Sequence, residues 1–394
     1  MADKVVKLRG MTWDHPRGLA PLQAASRMLK AKNIDIVWDA RSLQGFEEAS
    51  IAKLAVEYDL IAIDHPFVGM AYEQGALQPV DALLGVDFMR ELRAASVGPS
   101  YESYVWKDAL WAVPVDAAAQ VAASRTDLLA LYGQQVPETW DHVFTLARVL
   151  PMGVKIGMPA NSTHILLAFA TICHAVAHDK SLQPDLRPRW WTDDGFDPQT
   201  AMHGLDIMRR LMDVAHPLSW KADPIQIFEH MVRCDDLVYT PIAFGYSNYA
   251  RPEAVSHPLR FRAVPSINGS TGGGMLGGVG LAVSKQCSDS QAAAQVLRYV
   301  AGADMQRGLY LDAGGQPAHR EAWTDARTTV VCPDFFDVTL PSLDRSFVRP
   351  RLPAFPTYQR EGGKLLHTLF QQGTVRDAHI IEALNQLWQQ VQKY

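Results

Sequence analysis

The stretch Trp111-Ala112-Val113-Pro114-Val115-Asp116-Ala117-Ala118-Ala119-Gln120-Val121-Ala122-Ala123-Ser124-Arg125 decides the fold. As a strand, it puts Val113, Val115, Ala117, Ala119 and Val121 on one face and Asp116 and Gln120 on the other, because side chains alternate with period two. Pro114 removes a ladder donor and argues against a regular central strand at that point. The residues on its N-terminal side have the pattern of one α/β unit, and those on its C-terminal side have the pattern of another. The stretch is therefore expected to carry the chain between two lobes, with Asp116 and Gln120 facing a cleft. An ordinary buried strand is the competing reading of the same residues.

Upstream, strand and helix alternate. Val5–Met11, Asp35–Ala40 and Tyr58–Asp64 have strand character. Helices are expected from Leu19 to Lys32 and where Phe46, Ala49, Ala52 and Val56 repeat at helical spacing. Strands separated by helices of this length indicate parallel β-α-β units. Polar groups stand after each strand: Asp14 and His15, Arg41 and Gln44, Asp64 and His65. In open parallel sheets ligands bind outside the carboxyl ends of the strands, so three such clusters on one edge point to a binding edge. Asp, His and Pro also form ordinary loops.

Downstream the chain is richer in helices. Thr139 can cap a helix bearing Trp140, Val143, Phe144 and Ala147. Lys155–Pro159 is short enough for a strand. Ser162 or Thr163 can cap the helix whose stripe is Ile165, Leu166, Phe169, Ile172, Cys173 and Val176. A loop from Pro184 to Pro198 holds Trp190 and Trp191, and a helix is expected from about Thr200 to Val214. The run Gly269–Gly280 precedes a strand at Leu281–Ser284 and a helix bearing Ala292, Ala293, Val296, Leu297 and Val300. That late β-α unit is expected to return to the first sheet and make the first lobe discontinuous. Ile380, Ile381, Leu384, Leu387, Trp388 and Val391 mark a C-terminal helix.

A chain of 394 residues suggests two lobes of roughly 150–200 residues each. A net charge of -5 without a basic run argues against a nucleic-acid partner. No apolar run is long enough to span a membrane. The first ten residues lack the apolar core and cleavage site of a secretory signal, which leaves a cytosolic chain or one whose leader has been removed. The four cysteines (Cys173, Cys234, Cys287, Cys332) are far apart, with no Cys-x-x-Cys spacing.

Most chemistries lack their residues. Gly269–Gly280 contains no Gly-Lys-Ser/Thr, and its glycines precede a strand rather than a helix, so neither phosphate-loop nor dinucleotide chemistry fits. Close backbone approach explains the glycines better. The thirteen histidines form no His-x-x-x-His or His-Glu-x-x-His, so neither a metal nor a cofactor is expected. There is no Gly-x-Ser-x-Gly. Asp14, Asp64 and Asp116 could supply carboxylates for a carbohydrate-active enzyme. The loop and crossover aromatics Trp13, Trp38, Trp111, Trp190, Trp191, Tyr246 and Tyr249 suit stacking on sugar rings beside polar groups that pair with hydroxyls. Trp38, inside a strand, is expected in the core; Trp13 and Tyr246 are expected to touch ligand.

Taken together, the pattern resembles the substrate-binding proteins of bacterial ABC importers, in the extracellular solute-binding family that includes carbohydrate binders. Val113–Leu129 looks like that family's crossover and the helix start after it, and Thr139-Trp-Asp-His-Val is similar to its tryptophan helix. Gly277–Ser284 resembles the glycine pair and strand that re-enter the first lobe. Gly314–Trp323 resembles its late small-residue-Gly-x-Pro loop. The resemblance implies a two-lobed periplasmic-binding-protein-like α/β fold, with a hinge of two or three crossings. The lobes would be 1–112 with about 268–318, and 113–267 with about 319–394. It also implies closure on a sugar, polyol or sugar acid, delivery to an importer permease, a periplasmic location and no catalysis. Positions matching the family's cleft are Trp13, Asp14, His15, Arg41, Asp64, His65, Asp116, Tyr246, Asn248 and Gly278. A carbohydrate-active enzyme or a cytosolic solute sensor on the same fold are the alternatives. With Asp116 in a cleft, Asp116→Ala is expected to weaken binding with little loss of fold.

Overall fold

A computed structural model describes residues 4–43, 45, 50–179, 189–269 and 272–393. Gln44, Phe46, Ala49 and the start of the Pro184 loop, named above, lie outside the described residues. The principal strands are β1 (Val6–Trp13), β2 (Ile34–Arg41), β3 (Leu60–Ile63), β4 (Val113–Ser124), β5 (Lys155–Ile156), β6 (Leu237–Phe244), β7 (Arg260–Arg262) and β8 (Leu276–Ser284). The principal helices are α1 (Pro16–Leu29), α2 (Ile51–Glu57), α3 (Trp140–Val149), α4 (His164–Ala177), α5 (Pro198–Val214), α6 (Pro224–Arg233), α7 (Ser290–Ala301), α8 (Phe355–Gln372) and α9 (Asp377–Val391).

The chain divides into two compact units. The first comprises 1–118, 276–340 and 348–355; the second comprises 119–275, 341–347 and 356–394. β4 leaves the first unit in mid-strand, between Ala118 and Ala119. Pro114 does not interrupt it: the strand is continuous from Val113 to Ser124. Near the start of a strand, a missing N–H costs little of the ladder. The sequence reading ends the first lobe near 318, whereas 319–340 and 348–355 pack with the first unit. The Trp323 indole donates to the Pro317 carbonyl at 2.5 Å and meets Phe336 edge-on at 5.0 Å, which ties that segment back.

In the first unit, β1 lies between β2 and β3 and runs parallel to both. The returning strand β8 is antiparallel to β3, with Leu281 opposite Ala62. One continuous core, including Leu8, Met11, Leu22, Leu29, Ile61, Val113, Leu281 and Leu297, fills this unit. Trp38 packs partly buried against it, its indole donating to Ser26 Oγ at 2.8 Å. Gln306, fully buried, holds β4 from the side: its amide donates to the Val115 and Val300 carbonyls, and its oxygen accepts from the N–H groups of Ala318 and His319. Gln316 adds a bond from its amide to the Ala117 carbonyl at 2.7 Å.

In the second unit, β6 runs antiparallel to the later half of β4 and parallel to β5, and β7 also pairs with β4. All residues of α4 are buried, as an all-round apolar helix requires. Gly204 lets α5 approach α4 closely, since a Cβ there would come within 2.8 Å of the Cys173 sulfur. Thr139 caps α3 through its side chain. Neither Ser162 nor Thr163 caps α4. The Asn161 side chain does, accepting the N–H groups of Thr163 at 3.2 Å and His164 at 2.9 Å. α9 buries Ile380, Ile381, Leu384 and Trp388, and Trp388 meets Tyr358 of α8 edge-on at 5.4 Å.

Candidate functional site

The parallel register of β1 and β2 sets Trp13 opposite Arg41 at the carboxyl ends of both strands. The Asp14 N–H donates to the Arg41 carbonyl at 2.6 Å, and the Asp14 side chain is exposed. Arg41 is partly exposed and lies 3.9 Å from Glu57. Trp13 is buried, with its indole against the backbone of α1: a Cβ at Gly18 would sit 2.4 Å from the ring. His15 is the N-cap of α1, its Nδ1 accepting the Arg17 N–H at 3.1 Å. Burial, with Arg17 nearby, lowers the His15 pKa to about 4, so the ring is neutral.

Two ion pairs organise the same edge. Asp116 accepts two bonds from Arg17, Nε at 2.8 Å and Nη2 at 2.5 Å, and both side chains are almost wholly buried. Burial pushes the Asp116 carboxyl up, with Arg17 working against it. Asp64 forms the second pair, both its oxygens lying 2.7 Å from Arg349 Nη2. Burial opposes the charge on Asp64, but Arg349 and His65 outweigh it and hold the carboxyl at about 2. His65 is fully buried, its Nε2 accepting the Arg349 N–H at 3.3 Å and its Nδ1 lying 3.3 Å from Asp64. Burial, reinforced by Arg349, lowers His65 to about 4.

Tyr104 links the two pairs. Its hydroxyl lies 3.2 Å from the Ile63 carbonyl and 3.4 Å from that of Gly278. Burial raises its pKa, and the charges of Asp64 and Asp116 add to that. Gly278 has φ +100°, and a Cβ there would lie 2.4 Å from the Asp116 carbonyl oxygen, so only glycine fits.

The remaining expected residues belong to the second unit. Tyr246 and Tyr249 are buried against Phe228, with ring centroids 6.3 Å and 5.3 Å away, so packing accounts for the aromatic loop. Asn248 lies in the short 3₁₀ turn Ser247–Ala250 and is partly exposed. Gln120 does not face solvent: it is buried and accepts the Thr171 hydroxyl. A further cluster lies in the second unit. His174, whose Nε2 is 2.6 Å from the Gly272 carbonyl, stacks on Phe347 at 4.1 Å, and Phe347 in turn meets Trp190 at 5.1 Å. Phe347 and Trp190 remain partly exposed.

Thus Trp13, Asp14, His15 and Arg41 meet at one strand edge, and Asp64, His65, Asp116 and Gly278 gather around Tyr104 in the same unit. Tyr246 and Asn248 belong to the second unit. The sequence reading misses Arg17, Tyr104, Arg349 and Phe347 as site elements, while Trp190 is among its candidate stacking aromatics. Of those missed, Arg17 carried a signal, being three residues after Asp14 in the first strand-end loop.

Solved structures share this fold over nearly the whole chain, with TM-scores of 0.75 to 0.80. Maltose-bound MalE3 of T. maritima aligns with a TM-score of 0.80 at 15% identity, over 97% of this chain and 99% of that one. A ribitol-bound ABC transporter solute-binding protein from Agrobacterium radiobacter K84 aligns at 0.79 and 19% identity, over 99% of both chains. One from Agrobacterium vitis S4 with bound D-mannitol aligns at 0.77 and 16% identity, over 98% of both. No curated protein matches by sequence. Residues 27–328 match the family model of bacterial extracellular solute-binding proteins, and the chain belongs to that family. Among the described residues, no helix is long and apolar enough to cross a membrane.

Proposed function

We propose that this protein binds a neutral polyhydroxy solute, a sugar or a polyol, and presents it to an ABC importer outside the cytoplasmic membrane. One observation carries the neutral assignment: the buried charges at the strand ends of the first unit compensate each other internally. Arg17 is committed to Asp116 and Arg349 to Asp64, each through two short contacts. Arg41 faces Glu57, and His65 is neutral at physiological pH because its pKa is lowered to about 4. An anionic sugar entering here would have to take a guanidinium from a buried carboxylate, leaving that carboxylate uncompensated at a cost of several kcal/mol. A hydroxyl-rich solute needs only hydrogen-bonding groups such as the exposed Asp14 carboxylate. The maltose, ribitol and D-mannitol named with the similar structures support the same class.

The carboxylates also weigh against hydrolysis. Asp64, held at about 2, carries no proton to donate at neutral pH, and Asp116 is locked to Arg17. A thermal-shift screen with maltose, ribitol, D-mannitol and their acidic counterparts tests the proposal. A ligand at a hundredfold excess over its Kd stabilises by about 2.7 kcal/mol, or roughly 5–11 °C for a unit of this size. Shifts with neutral sugars or polyols are expected. A shift with sugar acids alone, or only with amino acids or peptides, would overturn the assignment.

A further inference from the structure

We propose that His216, His230 and Asp236 form a binding site for a zinc-class divalent metal ion on the second unit, separate from the groups discussed above. The three residues are too far apart in the chain to register as a motif, yet one ligand atom from each lies within 4.8 Å of the other two. His230 Nε2 is 2.7 Å from Asp236 Oδ1, and His216 Nε2 is 3.2 Å from Asp236 Oδ2. The two imidazole centroids are 5.0 Å apart, with planes at 45°. Ligand atoms bound at 2.0–2.2 Å around one tetrahedral ion lie about 3.3 Å apart, so small rotations of the rings and carboxylate complete the geometry.

Each ligand sits on a separately anchored piece of backbone. His216 comes just after α5 and donates its N–H to the Ile156 carbonyl at 2.7 Å. His230 lies in the last turn of α6. Asp236 immediately precedes β6, and its carbonyl accepts the Lys155 N–H at 2.8 Å. All three side chains keep partial exposure, at 16%, 25% and 45%, which leaves a coordination position open to water. Two imidazoles and one carboxylate select zinc, copper, nickel or cobalt over magnesium or calcium, which prefer all-oxygen shells. The imidazole lone pairs and a carboxylate oxygen make dative bonds to the ion, with no change of oxidation state.

One contact opposes binding. His216 Nδ1 accepts the Leu218 N–H at 3.1 Å, so a metal on Nε2 requires the ring proton to move to Nδ1 and that cap to open. A lost cap of this kind weakens affinity by about fivefold. The bound ion would clip the ends of α5 and α6 to the start of β6.

Calorimetric titration of the full chain, tag removed and chelator-treated, with zinc chloride tests this, using magnesium chloride as the hard-cation control. One zinc per chain and no magnesium binding are expected, with affinity falling at least tenfold in both H230Q and D236N. Melting of each variant in chelator checks that it folds, and H216Q, on a different segment, replaces either one that does not. Zinc should also raise the melting temperature of the unmodified chain. Absence of saturable zinc heat, or equal affinity in the folded variants, would overturn the site.

Discussion

Replacing Asp116 by alanine separates a solute ligand from a structural charge. In the folded chain the Asp116 carboxylate has no exposure, and its partner Arg17 has 3%. The two contacts from Arg17, at 2.8 and 2.5 Å, are the main compensation of the acid's charge, with a smaller contribution from the Gln316 backbone. Asp116→Ala takes the carboxylate away from the buried Arg17 guanidinium, a loss of roughly 3–5 kcal/mol. For a unit of this size that is roughly 6–20 °C in melting temperature. Removing both partners avoids the stranded charge, so the double variant R17M/D116L should melt much closer to the parent. Far-ultraviolet circular dichroism melts, with urea titrations as a second measure, read both variants, and the cycle isolates the coupling. The reasoning fails if Asp116→Ala melts within about 2 °C of the parent while losing solute affinity. That is the behaviour expected from sequence alone, where Asp116 is placed facing a cleft.

The buried imidazole of His65 makes stability pH-dependent. Its pKa is lowered to about 4, so the unfolded chain takes up a proton below pH 6.5 that the folded chain resists. That contribution is present above about pH 6.5 and is lost as pH falls towards 4, by up to about 3 kcal/mol; His65→Gln should flatten this part of a urea-denaturation profile, and an unchanged slope would contradict a buried neutral ring. Gly278→Ala puts a Cβ 2.4 Å from the Asp116 carbonyl at φ +100°, which should cost about 1–3 kcal/mol in chemical denaturation; a variant as stable as the parent would show that β8 can move away from Asp116.

Local pattern determined much of the architecture. Period-two alternation and helical stripes located β1 to β4, α4 and α9, and the polar residues after successive strands marked the edge where Asp14, Arg41 and Asp64 gather. These features are legible because a strand or helix repeats its burial over a few residues. Pairing is different. Arg17 meets Asp116 across 99 positions and Arg349 meets Asp64 across 285, and no local repeat encodes such distances. Alternation put Asp116 and Gln120 on one face of β4 but could not say that every residue of that strand is buried. It therefore gave a polar face where the fold supplies Arg17 and Thr171. The same limit hid His216, His230 and Asp236, whose convergence depends on where α5 and α6 end beside β6. The chain alone determined the elements and the edge on which polar groups collect. Tertiary packing decided which charges are free to meet a solute, because a buried charge is stable only where the fold brings its counter-charge.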